Sequence, residues 1–107
     1  IAPRFEIYEG TNMTNSLQYS VVKAGINQMT IYLAQLYKKN GIRLNCIAPG
    51  GVRESQPESF LQKYDNLAGN IGMLSPNDIT GGAIYLLSNM SCAVTGQILT
   101  IDDGFSL

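Results

Sequence analysis

The chain contains no histidine. That removes the commonest zinc ligand and argues against a metal site; it also excludes a Ser-His-Asp or Cys-His hydrolytic centre within these residues. Proton chemistry is left to Tyr, Lys, Asp, Glu or Cys. Cysteine is scarce: Cys46 and Cys92 stand alone, far apart and without Cys-x-x-Cys spacing. Both are expected to be small core residues of a protein in a reducing compartment, the cytoplasm. Charge is sparse at 14% of residues, with a net charge of −1. No arginine-rich run offers a track for nucleic acid. No apolar run approaches the ~18 residues of a membrane span, and no signal-peptide pattern opens the chain. A Gly-x-Gly-x-x-Gly phosphate fingerprint is missing too, as is any strand leading into one.

What is present is a globular composition. Hydrophobic residues make up 45% of 107 positions, enough for one domain at most and too apolar for disorder. The chain opens on Ile1-Ala2-Pro3 rather than Met, as if cut from something longer. Residues 1–18 read as a loop, with turn chemistry at Glu9-Gly10-Thr11-Asn12. It is expected to arch over the site described next, with Tyr8 and Met13 in packing roles.

Residues 16–40 form the main predicted helix. Thr14, Asn15 or Ser16 can cap its start, and Lys38-Lys39-Asn40-Gly41 suits its end. Val22, Ile26, Met29, Leu33 and Leu36 recur at spacings of four and three, one apolar stripe. Val21, Ala24, Gly25, Ile31 and Ala34 make the other side apolar or small. Burial on both sides is expected, one against a sheet and the other against a partner subunit in a homodimer or homotetramer. Within this helix lie Tyr19 and Lys23. Four residues apart, they share a face one turn from each other. An ammonium beside a phenol favours its ionised form. Such a pair can exchange a proton with an alcohol or carbonyl oxygen.

Residues 42–47 read as a strand that Ala48-Pro49-Gly50-Gly51 stops sharply. In open α/β sheets ligands sit outside the carboxyl ends of strands. Pro49-Gly50-Gly51-Val52 is therefore where a ligand is expected, its glycines admitting close backbone approach. Residues 53–72 are polar and irregular, with a short helix over 57–68 carrying Phe60, Leu61 and Tyr64 on one side. Ser75-Pro76-Asn77-Asp78 opens a third helix, capped by Ser75 or Asn77, with Ile79, Ala83, Leu86 and Leu87 on its apolar face. A turn over 89–93 leads to a last strand over 97–101.

Tyr19-x-x-x-Lys23, then Asn45-Cys46-Ile47-Ala48-Pro49-Gly50, then Thr95-Gly96-Gln97 before Ile98 to Gly104 occur in the order and register of the short-chain dehydrogenase/reductases. The whole chain resembles the C-terminal part of such an enzyme. The resemblance implies an α/β fold, the C-terminal portion of a doubly wound Rossmann-type parallel sheet with two strands and three helices. It implies that residues 1–107 are a segment of one domain whose cofactor-binding half lies upstream. NAD or NADP would be the cofactor and a small molecule the substrate. Tyr19 would move the proton. Lys23 would assist it and bind the nicotinamide ribose. Pro49, Gly50 and Val52 would lie against the nicotinamide. The 53–72 region corresponds to the family's mobile lid, making Arg53, Glu54, Ser55 and Gln56 candidate substrate contacts.

Two family features depart or are missing. The catalytic serine would fall by spacing on Glu6, which has no hydroxyl to offer, so it is expected upstream together with the helical asparagine of the relay. Asp102-Asp103-Gly104 replaces the commoner Asp-Gly-Gly and reads as a structural turn; Asn45 likewise reads as a structural tie to neighbouring backbone. The loop from Phe5 to Thr11 and the ending Asp102 to Leu107 resemble bacterial oxidoreductases of surface-sugar and flagellin glycan synthesis. That ranks a sugar or sugar-phosphate alcohol above the acyl thioester of an acyl-carrier-protein reductase. A non-catalytic relic or scaffold is the remaining alternative. The segment alone is expected to be inactive.

Overall fold

Ser16 stands in extended backbone, and its Oγ accepts a hydrogen bond from the Tyr19 N–H at 3.2 Å. This cap opens helix α1, Leu17–Tyr37, in a computed structural model that describes residues 2–107. The helix tightens into a 3-10 turn over Lys38–Asn40 and stops at Gly41, whose φ of 71° suits glycine.

The buried side of α1 is not the expected stripe. Thr30 and Ala34 are buried and Ile26, Asn27 and Leu33 half-buried, whereas Val22, Met29 and Leu36 are exposed. Small side chains let the helix lie close to the 94–97 segment, where Ala34 comes up against Gly96. The Thr30 hydroxyl donates back to the Ile26 carbonyl at 3.0 Å, so it enters the interface satisfied. With both sides apolar, hydrophobic spacing alone could not choose between them.

Strand β1 is Cys46–Pro49 and β2 is Ile98–Ile101. They pair in parallel, Cys46 opposite Ile98 through Pro49 opposite Ile101. The expected strand over 42–47 is therefore displaced toward the C-terminus. Side chains, not a ladder, hold the residues before it. The Arg43 guanidinium donates to the Ser91 hydroxyl and the Leu86 carbonyl, both at 3.0 Å, and to the carbonyls of Ser88 and Val94. Asn45 donates to the Val94 carbonyl and accepts from the Gln97 N–H, the structural tie its position suggested. The strand tolerates Pro49 because the Cys46 and Gly50 amides face β2, donating to Gln97 and Ile101. Side alternation turns the Pro49 nitrogen away, where a missing N–H costs no ladder bond.

Helix α2, Glu58–Asp65, and helix α3, Pro76–Leu87, complete the crossover between the strands. Three helices and a two-stranded parallel sheet make an α/β arrangement, as expected. The backbone N–H and Oγ of Ser75 both donate to Asp78 at the start of α3. Ile79, Ala83 and Leu86 are half-buried, but Leu87 is 85% exposed and does not belong to that face.

The core lies beside α2. Ile7, Phe60, Tyr64, Met73 and Phe105 form it, with Tyr8, Met13 and Leu61 packed around. The polar-looking 53–72 region thus supplies the central aromatics. The N-terminal segment contains a 3-10 turn, Phe5–Tyr8. It docks on α2, the Tyr8 ring edge-on to Phe60 at 5.3 Å, so packing is the role of Tyr8 and Met13. The cysteines correct another expectation: Cys46 is half-buried and Cys92 is exposed in the turn after α3, not in the core.

Candidate active site on helix α1 and the glycine corner after β1

The cap at Ser16 places Tyr19 in the first turn of α1. Lys23 follows one turn later, its Nζ 5.4 Å from the centre of the Tyr19 ring. The two side chains converge as a cation over a ring, a contact of about 0.5–1 kcal/mol at an exposed site. Tyr19 is 56% exposed. Neither the Tyr19 hydroxyl nor the Lys23 ammonium hydrogen-bonds to any other described residue. Both polar groups are thus uncommitted at the open mouth of the helix.

The second group is the turn after β1. Gly50 N–H donates to the Ile101 carbonyl at 2.8 Å, and Gly51 and Arg53 exchange hydrogen bonds with Leu74, each also at 2.8 Å. Val52 forms an isolated parallel bridge with Leu74. The Val52 carbonyl accepts from the Gln56 side chain at 3.0 Å, while Gln56 Oε1 accepts from the Glu54 N–H at 2.7 Å. Gln56 therefore holds its own loop. Arg53 reaches Asp65 at 3.3 Å across exposed surface, a pair contributing little to stability. Glu54 and Ser55 are exposed, and their side chains have no partner among the described residues. No hydrogen bond or ion pair joins the Tyr19–Lys23 pair to this turn.

The reason for Gly50 and Gly51 differs from the one the sequence suggested. Neither has a positive φ. A Cβ on Gly50 would stand 2.7 Å from the Tyr64 hydroxyl and 2.9 Å from Asp102 Cβ. On Gly51 it would stand 2.6 Å from Met73 Cε. The glycines are required by what packs behind the turn.

Sequence reading missed Tyr64 as part of this site, though its place on the inner side of α2 was visible. Its hydroxyl accepts from the Gly51 N–H at 2.7 Å, and its ring stacks on Phe105 at 4.0 Å and 3°. Burial pushes its phenol above the ordinary range, helped by the nearby Asp102, Asp103 and Asp65 carboxylates and opposed by the Gly51 N–H. The other residues are anchors, Asp65 unforeseen and Asp102 and Asp103 holding the turn that the sequence read as structural. Asp103 Oδ2 accepts from the amides of Ile71 and Gly72, and Asp65 Oδ1 from that of Met73. Asp102 accepts from the amides of Gly104 and Ser106.

Among the described residues, no three His, Cys, Asp or Glu side chains come together as metal ligands, and no helix is long and apolar enough to cross a membrane.

Comparison with known proteins places this geometry in a family. Residues 7–106 match the family described as enoyl-(acyl carrier protein) reductase. The post-translational flagellin modification protein A of Campylobacter coli is 47% identical over 106 residues, spanning 99% of this chain and 41% of that protein. A 3-oxoacyl-[acyl-carrier-protein] reductase of Chlamydia trachomatis is 33% identical over 82% of this chain and 37% of its own length. The crystal structure of a short chain dehydrogenase from Leptospira borgpetersenii with bound NAD+ superposes with a TM-score of 0.87 at 40% identity. That match covers all of this chain and 40% of the Leptospira chain. The chain thus spans about two fifths of these relatives. A Tyr-x-x-x-Lys helix and a glycine corner after a parallel strand, carried on this matching backbone, make the chain a member of the short-chain dehydrogenase/reductase family.

Proposed function

We propose that residues 1–107 are the C-terminal segment of a single Rossmann-type domain in an NAD(P)-dependent oxidoreductase that interconverts an alcohol and a carbonyl. The observation that carries this reading is the Lys23 ammonium held 5.4 Å from the Tyr19 ring, with both polar ends uncommitted. In reduction the Tyr19 hydroxyl gives its proton to the substrate oxygen; in oxidation the phenolate takes it back. Lys23 sets a cation beside the Tyr19 ring, and its N–H groups are available to ribose hydroxyls.

The donor set fits the nicotinamide end of a dinucleotide. Pro49 ends β1, Gly50 and Val52 follow it, and the Val52 N–H donates to no described residue. The nicotinamide, when bound there, supplies or accepts the hydride at the substrate carbon. Nothing here fits its pyrophosphate, for which the glycine fingerprint is missing. NAD is favoured over NADP by the NAD+ in the Leptospira structure. Arg53, Glu54 and Gln56 are the proposed substrate contacts; of the three, Glu54 has its carboxylate uncommitted among the described residues.

A sugar or sugar-phosphate alcohol is the preferred substrate, supported by 47% identity to a flagellin modification protein. An acyl thioester ranks second, supported by 33% identity to an acyl-carrier-protein reductase. The exposed apolar side of α1 supports a homodimer or homotetramer, and the reduced cysteines a cytoplasmic setting. Tyr19→Phe in the full-length chain tests the core of the proposal. Turnover should fall by about 10²–10⁴-fold while calorimetry shows cofactor binding within two-fold of wild type (on the order of 0.4 kcal/mol). Retained turnover would remove Tyr19 from its role.

A further inference from the structure

We infer that Tyr64 is a positioning residue for the glycine corner, tying the α2 helix to the backbone on which the nicotinamide is proposed to rest. Three observations converge on it. Its hydroxyl accepts from the Gly51 N–H at 2.7 Å. Its oxygen and ring close the space behind Gly50 and Gly51, leaving no room for a Cβ at either. Its ring is stacked at 4.0 Å on Phe105, which the Arg4 guanidinium covers at 5.6 Å, and Tyr64 itself is 3% exposed.

The phenol is thus fixed on its ring face and at its polar end. It sets where the Gly51 amide points. The same peptide run presents Val52, whose own N–H donates to no described residue. The α2 helix also begins a few residues after the candidate substrate contacts Arg53, Glu54 and Gln56. A movement of α2 toward a substrate would pull the corner with it through this hydrogen bond and the exposed Arg53–Asp65 pair, so substrate and cofactor sites share a mechanical link. A phenol is neutral in the physiological range in any case, and burial raises that of Tyr64 further.

The inference rests on the proposed cofactor site, and its test separates the two. In the full-length enzyme, Tyr64→Phe keeps the stacked ring and removes the acceptor. NAD(H) Kd should rise roughly three- to ten-fold, the loss of one hydrogen bond that preorganises the corner. Proton transfer by Tyr19 should persist, so kcat at saturating cofactor should stay within about two-fold. A purely structural role would lower the melting temperature and leave the Kd unchanged, which would overturn the inference. Should the variant fail to fold, hydrogen exchange on the wild-type enzyme decides: the Gly51 amide must be protected without cofactor, and free exchange there would refute the hydrogen bond. If wild type binds neither NAD(H) nor NADP(H), the functional reading fails while Gly51 protection still reports on Tyr64.

Discussion

Gly50 shows how a single hydrogen atom can be structural. Its backbone has an ordinary φ, so alanine would be tolerated in isolation. The obstacle is the Tyr64 hydroxyl at 2.7 Å and Asp102 Cβ at 2.9 Å from the position of a new Cβ. Gly50→Ala should therefore destabilise the full-length protein by about 1–3 kcal/mol, the usual cost of overpacking. Combining it with Tyr64→Phe should cost less than the sum, because the deleted hydroxyl makes room; urea denaturation of the four proteins of that cycle measures the coupling. Tyr64 also gives a pH prediction. Its phenol is raised in the folded state, first by burial and then by the neighbouring Asp102, Asp103 and Asp65. An unfolded phenol ionises near pH ~10. The stabilisation is full below that value and is lost as pH rises through the folded one. Urea midpoints measured from pH 9 to 11 should fall more steeply in wild type than in Tyr64→Phe. Equal slopes would mean that Tyr64 is not held neutral by the fold.

The strand-end turn after β2 is the clearest case among the elements. Asp103 has a φ of 51°, a backbone that favours glycine, yet its carboxylate holds Ile71 and Gly72 at 2.6 and 2.8 Å. Asp103→Ala should lose both hydrogen bonds and keep the strain, costing about 2–3 kcal/mol for this partly exposed group. Asp103→Gly loses the same bonds but relieves the backbone, so it should be about 1 kcal/mol less harmful. The reverse order by thermal denaturation would contradict the account. At the start of α3, Asp78 sits below its ordinary range because the Ser75 backbone and hydroxyl both donate to it. That contribution is present above the normal carboxylate pKa and disappears as pH falls through the folded one. Ser75→Ala should lower stability near neutrality and flatten the acid limb of a stability profile. Elements were legible in the sequence where local chemistry decides them: Ser16 as one of three candidate caps, Gly41 as a stop, Pro76 after Ser75. They were misplaced where distant groups decide. Nothing near Ile42 says that Arg43 will anchor to Ser91 and Leu86 instead of extending a ladder. No periodicity of α1 says that Thr30 and Ala34 will face inward while Met29 faces out. The Tyr19–Lys23 pair could be read because one helical turn fixes it; the partnership of Tyr64 with Gly51 could not, since thirteen positions and a change of direction separate them.

At the scale of the molecule, the chain leaves much apolar surface open. Its radius of gyration is 15.8 Å with extents of 50 × 28 × 22 Å, against ~13 Å expected for a compact domain of this length. Accessible surface is 7388 Å², where a compact protein of its mass would show ~5,800 Å². Val21, Val22, Met29, Ile31, Tyr32 and Leu36 on α1 are all at least 46% exposed. On the other edge of β1, opposite β2, no described strand is paired. Two-stranded sheets are marginal without further strands or covering helices. On the reading proposed above, the rest of a doubly wound sheet and a partner subunit would cover these surfaces. Residues 1–107 expressed alone should accordingly show a shallow, weakly cooperative urea transition, with an m-value below the ~1 kcal/mol/M lower end for small two-state proteins. They should show no NAD(H) or NADP(H) binding by calorimetry, since the glycine fingerprint that would cradle the pyrophosphate is missing from them. The full-length chain should unfold cooperatively and bind cofactor. A sharp transition and tight cofactor binding by the 107 residues alone would show that α1 and the β1 edge need no further partner, and the proposed division of the domain would have to be abandoned.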